Sequence, residues 1–258
     1  MKGRLKNQIK APNFGIREIM NVQLFIPCFV DQLYPETAFN MVKVLEKSGC
    51  TVSYNASQTC CGQPAFNAGF QNEAKTVCTK FIKDFNGSDY VVAPSASCIG
   101  FVRNYYGSLF ENSTVQHEVK DLVKRVFEFS EFMLNILKVE DVGASLNGKA
   151  TYHDSCAGLR ECKIKEEPRK LLSHVKGLSL TEMKDVETCC GFGGTFAVKF
   201  EAISVAMAEQ KVENALAAEA EYLISTDVSC LMHLQGYINQ KGYKLKTMHL
   251  ADVLASGW

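Results

Sequence analysis

Short apolar runs alternate with amphipathic stretches along this chain, and the two kinds return in the same order twice. Residues 22–29 form an apolar run, the pattern of a strand buried on both faces of a parallel sheet. Over 36–47 the apolar positions Phe39, Val42, Val44 and Leu45 fall at roughly helical spacing, and Gly49 follows as a stop. A second strand is predicted over 51–54, a helix over 73–85 and a third strand over 90–93. In the second half the order is a strand at 150–153, a helix at 168–174, a strand at 178–183 and a long alanine-rich helix at 198–220. A strand at 222–226 and a closing strand at 244–249 complete it. Between the halves, 118–138 carries Val119, Leu122, Val123, Val126, Phe127, Met133, Ile136 and Leu137 on one helical face. That stripe predicts a linking helix packed between the halves. Gly143 to Gly148 marks the boundary, with Asn147-Gly148 as a turn.

The two halves are copies. Asp89-Tyr90-Val91-Val92-Ala93-Pro94-Ser95-Ala96-Ser97-Cys98 aligns without a gap on Glu221-Tyr222-Leu223-Ile224-Ser225-Thr226-Asp227-Val228-Ser229-Cys230. The offset there is 132 residues (98 to 230), against 129 at Cys60 and Cys189 and 128 at Cys28 and Cys156. A nearly constant offset over three landmarks is the mark of an internal repeat with small loop insertions. Strand and helix in alternation then predict an α/β fold of two homologous repeats, each a small parallel sheet flanked by helices. The expected division is an N-terminal tail at 1–19, a first repeat at 20–117, a linking helix and boundary loop at 118–147, and a second repeat at 148–258. Ligands in such sheets collect at the carboxyl ends of the strands.

Composition narrows the compartment and the partners. The chain has 47% hydrophobic and 22% charged residues, with 28 basic side chains against 28 acidic ones. A balanced charge gives no electrostatic case for nucleic acid or an acidic membrane surface. No apolar run approaches the ~18 residues that span a bilayer. Lys2, Arg4, Lys6, Lys10 and Arg17 are followed by no apolar core of a secretory signal, so 1–19 reads as a basic tail or as sequence upstream of a start at Met20. A cytoplasmic location follows, where structural disulfides are rare. The eleven cysteines are an odd number, and adjacent cysteines bridge each other only under strain.

Eight of those eleven fall into two sets of the same shape: Cys28, Cys60, Cys61 and Cys98, then Cys156, Cys189, Cys190 and Cys230. Four thiolates suit zinc, a [2Fe–2S] cluster or a [4Fe–4S] cluster. Structural zinc sites usually draw two ligands from one short knuckle, whereas here the close pair is Cys-Cys with nothing between. Two adjacent side chains diverge, which a cluster of several irons accepts more naturally than one tetrahedral ion. Gly62 and the run Gly191-Phe192-Gly193-Gly194 remove bulk beside the pairs, letting backbone N–H groups approach anionic sulfur. Residues 191–196 do not make a dinucleotide fingerprint, because Phe196 stands where the last glycine belongs.

A cysteine, then Cys-Cys-Gly, then a further cysteine, twice over, resembles the cysteine-rich CCG-domain family. That family includes the cysteine-rich subunit of heterodisulfide reductase, the glycolate oxidase iron–sulfur subunit and lactate utilisation protein A. The lactate-utilisation branch is nearest, through Gln23-Leu24-Phe25-Ile26-Pro27-Cys28, Thr59-Cys60-Cys61-Gly62-Gln63-Pro64, Tyr152-His153-Asp154-Ser155-Cys156 and Cys189-Cys190-Gly191-Phe192-Gly193-Gly194-Thr195-Phe196. The resemblance implies an iron–sulfur redox subunit of a cytosolic complex that oxidises L-lactate, a small 2-hydroxy acid, to pyruvate. It implies a [4Fe–4S] cluster in each repeat, and as partners a ferredoxin-like iron–sulfur subunit and a third, small subunit. In the heterodisulfide reductase subunit each motif ends in two cysteines three apart, giving five ligands; here Phe101 and His233 stand at those places. A thiol/disulfide oxidoreductase with a five-thiol cluster, and a zinc-stabilised scaffold or zinc in one repeat, remain as alternatives.

Single residues outside the sets have two readings each. His233 is either a fifth ligand of the second set or a helix histidine. His153 and Asp154 either move a proton near substrate or hydrogen-bond around the cluster. Arg160 and Arg169 either pair with a substrate carboxylate or are solvated helix charges. Cys50 and Cys78 read as small buried apolar residues, and Cys162 as a reactive or spare thiol. The glutamates and lysines of 198–220 read as a solvated face.

Overall fold

The computed structural model describes residues 20–87 and 89–258; the expected tail at 1–19 lies outside them. Eight strands form two four-stranded sheets, all parallel. In the first, β1 (Met20–Leu24), β2 (Cys50–Tyr54), β3 (Tyr90–Ala93) and β4 (Val126–Glu128) lie in the order β2-β1-β3-β4. In the second, β5 (Ser145–Tyr152), β6 (Lys176–Leu180), β7 (Tyr222–Ser225) and β8 (Lys246–His249) repeat it as β6-β5-β7-β8. The central strands are the most apolar: Val91, Val92, Leu223 and Ile224 are fully buried, as strands covered on both faces must be. Registers match too, with Val22 opposite Val52 and Tyr90, and Ala150 opposite Leu180 and Tyr222. The α/β fold of two homologous repeats, each a small parallel sheet flanked by helices, is what the pattern predicted.

Four local expectations are corrected. The strand over 22–29 stops at Leu24, and with Pro27 as N-cap the chain enters a helix at Cys28 instead. The single helix over 118–138 is instead a short helix (Gln116–Leu122), a turn, β4, and a helical turn that continues as a π-turn at Phe132–Ile136. Arg125 causes the break: its guanidinium donates to the carbonyls of Asp89 and Phe85 at 2.5 and 3.1 Å, and its own carbonyl accepts from Val91 N at 2.8 Å. The edge of β3 thereby captures Val126 and Phe127 as a strand. Asn147-Gly148 is no turn, but a register shift inside β5. Gly148 (φ +141°) leaves room there for the Tyr222 ring, which an added Cβ would meet at 2.8 Å. The helix over 198–220 is divided into Phe196–Lys199 and Glu201–Ala217, and Lys211 lies buried rather than solvated, its Nζ donating to the carbonyls of Asp185 and Val186.

One core joins the halves. Val22, Met41, Leu45, Val92, Phe129, Phe132 and Met133 from the first half pack in one cluster with Tyr152, Leu171, Ile224, Leu250 and Leu254 from the second. The apolar stripe of 118–138 therefore splits between two jobs: Val119, Leu122 and Val126 fill the first repeat's own core, while Met133, Ile136 and Leu137 pack between the halves. Polar contacts reinforce the joint, with Asp252 accepting from Thr37 Oγ1 and Asn40 Nδ2, both at 2.9 Å. Among the described residues no helix is long and apolar enough to cross a membrane.

Candidate metal centre

Each repeat delivers its thiols by the same three devices. Cys28 and Cys98 sit in the first turns of the helices Cys28–Leu33 and Ala96–Leu109, just beyond the ends of β1 and β3. Cys230 is placed likewise in Val228–Lys241, and Cys156 follows β5. The cysteines thus stand one turn past the strand ends, on helix N-termini whose dipole favours negative charge on sulfur. Ser95 caps its helix, Oγ accepting from Cys98 N at 3.5 Å. The paired cysteines ride on turns closed by Gly62 (φ +93°) and Gly191 (φ +95°). Behind the first turn Gln58 ties it to β1, its Oε1 accepting from Ile26 N at 2.7 Å and its Nε2 donating to Leu24 O at 3.2 Å.

Amides of these turns point back at the sulfurs. Gly62 N donates to Cys60 Sγ and Gly191 N to Cys189 Sγ, both at 3.4 Å, and Phe192 N donates to Cys190 Sγ at 3.5 Å. Hydrogen bonds from the Cys28 and Cys61 thiols draw Cys60 down to about 3, and those from Cys156 and Cys190 draw Cys189 down to about 2. The donors Cys28, Cys61, Cys156 and Cys190 are pushed up in turn, by those same bonds and by burial. The thiols of each set therefore lie close enough to perturb one another's ionisation. Full deprotonation of four such neighbours needs a cation among them, which is the donor chemistry of a soft metal or a cluster.

All eight thiols of the two sets line one cavity of about 240 Å³ between the repeats. Its charged lining residues among the described ones are Glu161 and Asp227. Asp227 joins the halves at this point. It forms an isolated bridge with Ser95, its repeat counterpart, and its carboxylate accepts from Ser97 N at 2.8 Å, Ser97 Oγ at 3.1 Å and Ser229 Oγ at 3.0 Å. Burial pushes its pKa up. Sequence patterns alone did not mark Asp227, Tyr106 or Ser204 as site residues. Tyr106 Oη donates to Cys61 O at 2.6 Å and Ser204 Oγ to Gly191 O at 2.8 Å, so each supports one paired-cysteine turn from below. The signal for Asp227 was its alignment with the capping Ser95; for the other two no local signal exists.

The remaining candidates fall away from the cavity. Asp154 is buried and held by Arg169 through two bonds, 2.9 and 2.8 Å, and Arg169 also bonds Glu182. Burial works against the Arg169 cation, but these two carboxylates raise its pKa overall. Arg169 is thus occupied, and Arg160 is exposed on a second, open pocket that it lines together with Asp185, Thr188 and Cys189. His233 Nε2 is engaged by Ser204, at 3.2 Å to Oγ and 3.3 Å to O. Phe101 packs on Phe66, Tyr105 and Tyr106. Cys50 and Cys78 are buried, and burial pushes both up to about 11. Cys162 is buried as well, its thiol donating to Ala96 O at 3.3 Å, which leaves no spare ligand there. His153 does reach the second set: a ring nitrogen lies within 4.8 Å of Cys190 Sγ and Cys230 Sγ.

Comparison with known proteins fits this doubled geometry. The profile of the cysteine-rich CCG domain matches residues 22–103 and again 150–235, one copy on each sheet. The chain belongs to the cysteine-rich CCG domain family. It is 43% identical over 235 residues to lactate utilization protein A of Geobacillus kaustophilus (strain HTA426), covering 91% of this chain and 98% of that protein. It is also 43% identical over 237 residues to lactate utilization protein A of Bacillus subtilis (strain 168), covering 92% and 100%. Among solved structures a hypothetical protein from Helicobacter pylori shares the fold, with a TM-score of 0.60 at 12% identity, covering 94% of this chain and 50% of that one.

Proposed function

We propose that each four-cysteine set holds a [4Fe–4S] cluster, with Cys28, Cys60, Cys61 and Cys98 as ligands in one repeat and Cys156, Cys189, Cys190 and Cys230 in the other. The chain then serves as the electron-carrying subunit of a cytoplasmic complex that oxidises L-lactate to pyruvate, alongside a ferredoxin-like iron–sulfur subunit and a third, small one. The observation that carries this reading is the meeting of all eight thiols on one cavity. A single tetrahedral zinc with Zn–S near 2.3 Å needs its sulfurs about 3.8 Å apart. Among the described residues no three sulfurs of either set lie mutually within 4.8 Å, a spread that favours a cluster over a single zinc held by thiolates alone. The two-electron oxidation of lactate is matched by two adjacent one-electron carriers. The chain's own residues hold the thiolates: the amides of Gly62, Gly191 and Phe192 donate to them, and the helix N-termini at Cys28, Cys98 and Cys230 face them. Among the described residues, Glu161 and Asp227 are the charged side chains that line the cavity.

Iron, acid-labile sulfide and zinc are to be counted in protein purified without oxygen. About four irons and four sulfides per cysteine set, with a brown chromophore, is the expected result. Cys60→Ala should empty the first repeat and leave the second loaded, and Cys189→Ala the reverse. Lactate oxidation should then require this chain together with its partner subunits. Stoichiometric zinc without sulfide would replace the redox reading by that of a scaffold, and a variant that stays folded while losing both centres would sink the two-site arrangement.

A further inference from the structure

Phe25 and His153 occupy the same place in the two repeats, 128 residues apart as are Cys28 and Cys156. In the first repeat that place is wholly apolar. Phe25 is fully buried and packs edge-on against Phe81 and Phe85, with ring centroids 4.8 and 5.7 Å away. In the second repeat an imidazole is buried as completely, and neither of its ring nitrogens has a hydrogen-bond partner among the described residues. The backbone of His153 is fixed: its N donates to Ile224 O at 2.8 Å and its carbonyl accepts from Ser225 Oγ at 2.9 Å. A buried polar group left unpaired carries a penalty that phenylalanine at the same place avoids. What lies in reach of the ring is sulfur: one nitrogen and the Sγ atoms of Cys190 and Cys230 all fall within 4.8 Å of one another. One nitrogen and two sulfurs around a point is a donor set that zinc and iron both accept.

We propose that His153 is a nitrogen ligand of the metal held in the second repeat, beside Cys190 and Cys230. The two centres are then chemically distinct, with sulfur donors alone in the first and sulfur with nitrogen in the second. This deepens the metal-binding reading above and rests on it, with His153 taking the place of one of the other two thiols, Cys156 or Cys189, so that the centre keeps four protein ligands. His233, the other histidine near this set, already spends its Nε2 on Ser204.

The test uses full-length, iron-loaded protein labelled with ¹⁵N-histidine and reduced for electron–nuclear double resonance. A histidine nitrogen coupling is expected in the wild type, kept in His233→Gln and lost in His153→Phe, which installs the first repeat's own residue. Should His153→Phe fail to fold, the other two samples still decide: coupling in both supports the proposal, and loss in His233→Gln overturns it by moving the ligand to that residue. A coupling that persists in folded His153→Phe overturns it as well. Iron, sulfide and zinc counts separate the two ways of failing. Absence of iron, sulfide and zinc alike overturns the metal reading itself, whereas loaded repeats without histidine coupling overturn the role of His153 alone. If the second repeat holds zinc, imidazole scattering at its X-ray absorption edge is read in the same three proteins. Scattering kept in His233→Gln and lost in His153→Phe then supports the proposal, and any other pattern overturns it.

Discussion

Gly191 shows how much of the site is a matter of missing atoms. Its φ of +95° already disfavours any side chain, and a Cβ there would stand 2.6 Å from Ser204 O and 2.9 Å from Met207 Cβ. Gly194, three residues on, also has a positive φ (+63°) but nothing within 4 Å of an added Cβ. The left-handed conformation costs about 1–2 kcal/mol for a residue with a Cβ, so both alanine variants should lose at least that in urea unfolding. Only Gly191→Ala must also displace backbone, and it alone should empty the second repeat of metal while the first stays loaded. Equal metal retention in the two variants would show that the close approach of helix Glu201–Ala217 does not shape the turn. Cysteine and glycine were legible in the sequence because few other roles explain Cys-Cys-Gly twice. Tyr106 and Ser204 were not, because a tyrosine or serine on a helix carries no mark of the distant carbonyl it will bond.

At the scale of elements, β4 and β8 end alike on a buried titratable cap. Glu128 Oε2 accepts from Ser130 N at 2.7 Å and Glu131 N at 3.2 Å, and His249 Nδ1 accepts from Ala251 N at 3.0 Å. Burial pushes Glu128 from 4.5 up to about 8 and pushes His249 down. The acid holds its proton in the folded state and releases it in the unfolded one. Its contribution is thus fully present below pH 4.5 and is lost as pH rises towards 8, at about 1.4 kcal/mol per pH unit. The neutral histidine works the other way, losing its contribution as pH falls below 6.5. Glu128→Gln keeps an oxygen for the Ser130 amide and removes the titration. Between pH 5.5 and 7.5 the wild type should lose about 2–3 kcal/mol relative to that variant in denaturant unfolding. Parallel pH profiles would mean that Glu128 ionises freely in the fold. β4 itself was hidden in the sequence because Val126 and Phe127 satisfy a helical stripe as well as a short strand, and only the hold of Arg125 on the edge of β3 chooses. β2, β3, β5, β6 and β7 were legible, since their apolar runs are bounded by polar turns and recur at nearly one offset, while the run read as β1 continued past the strand's end at Leu24.

On the scale of the molecule, the duplication yields one folding unit instead of two beads. Phe132 belongs to the first half by sequence, yet it is fully buried in a cluster that includes Tyr152, Ile224 and Leu250 of the second, with its ring 5.5 Å from that of Tyr90. Phe132→Ala should cost about 3–5 kcal/mol, the range for truncating a buried phenylalanine. If the shared core makes the halves cooperative, that loss is felt equally in both. Native-state hydrogen exchange should then show the amides of Val91 and Val92 in β3 and of Leu223 and Ile224 in β7 losing protection by the same amount. Loss confined to β3 would mean that the repeats unfold separately, and that the cavity between them is held only by local contacts such as the bridge of Asp227 to Ser95 and Ser97. The shared core makes the first result the expected one, and it gives a reason for the duplication. Two copies of a small sheet, each with four thiols at its carboxyl edge, bring those edges together only when the faces behind them are packed as one.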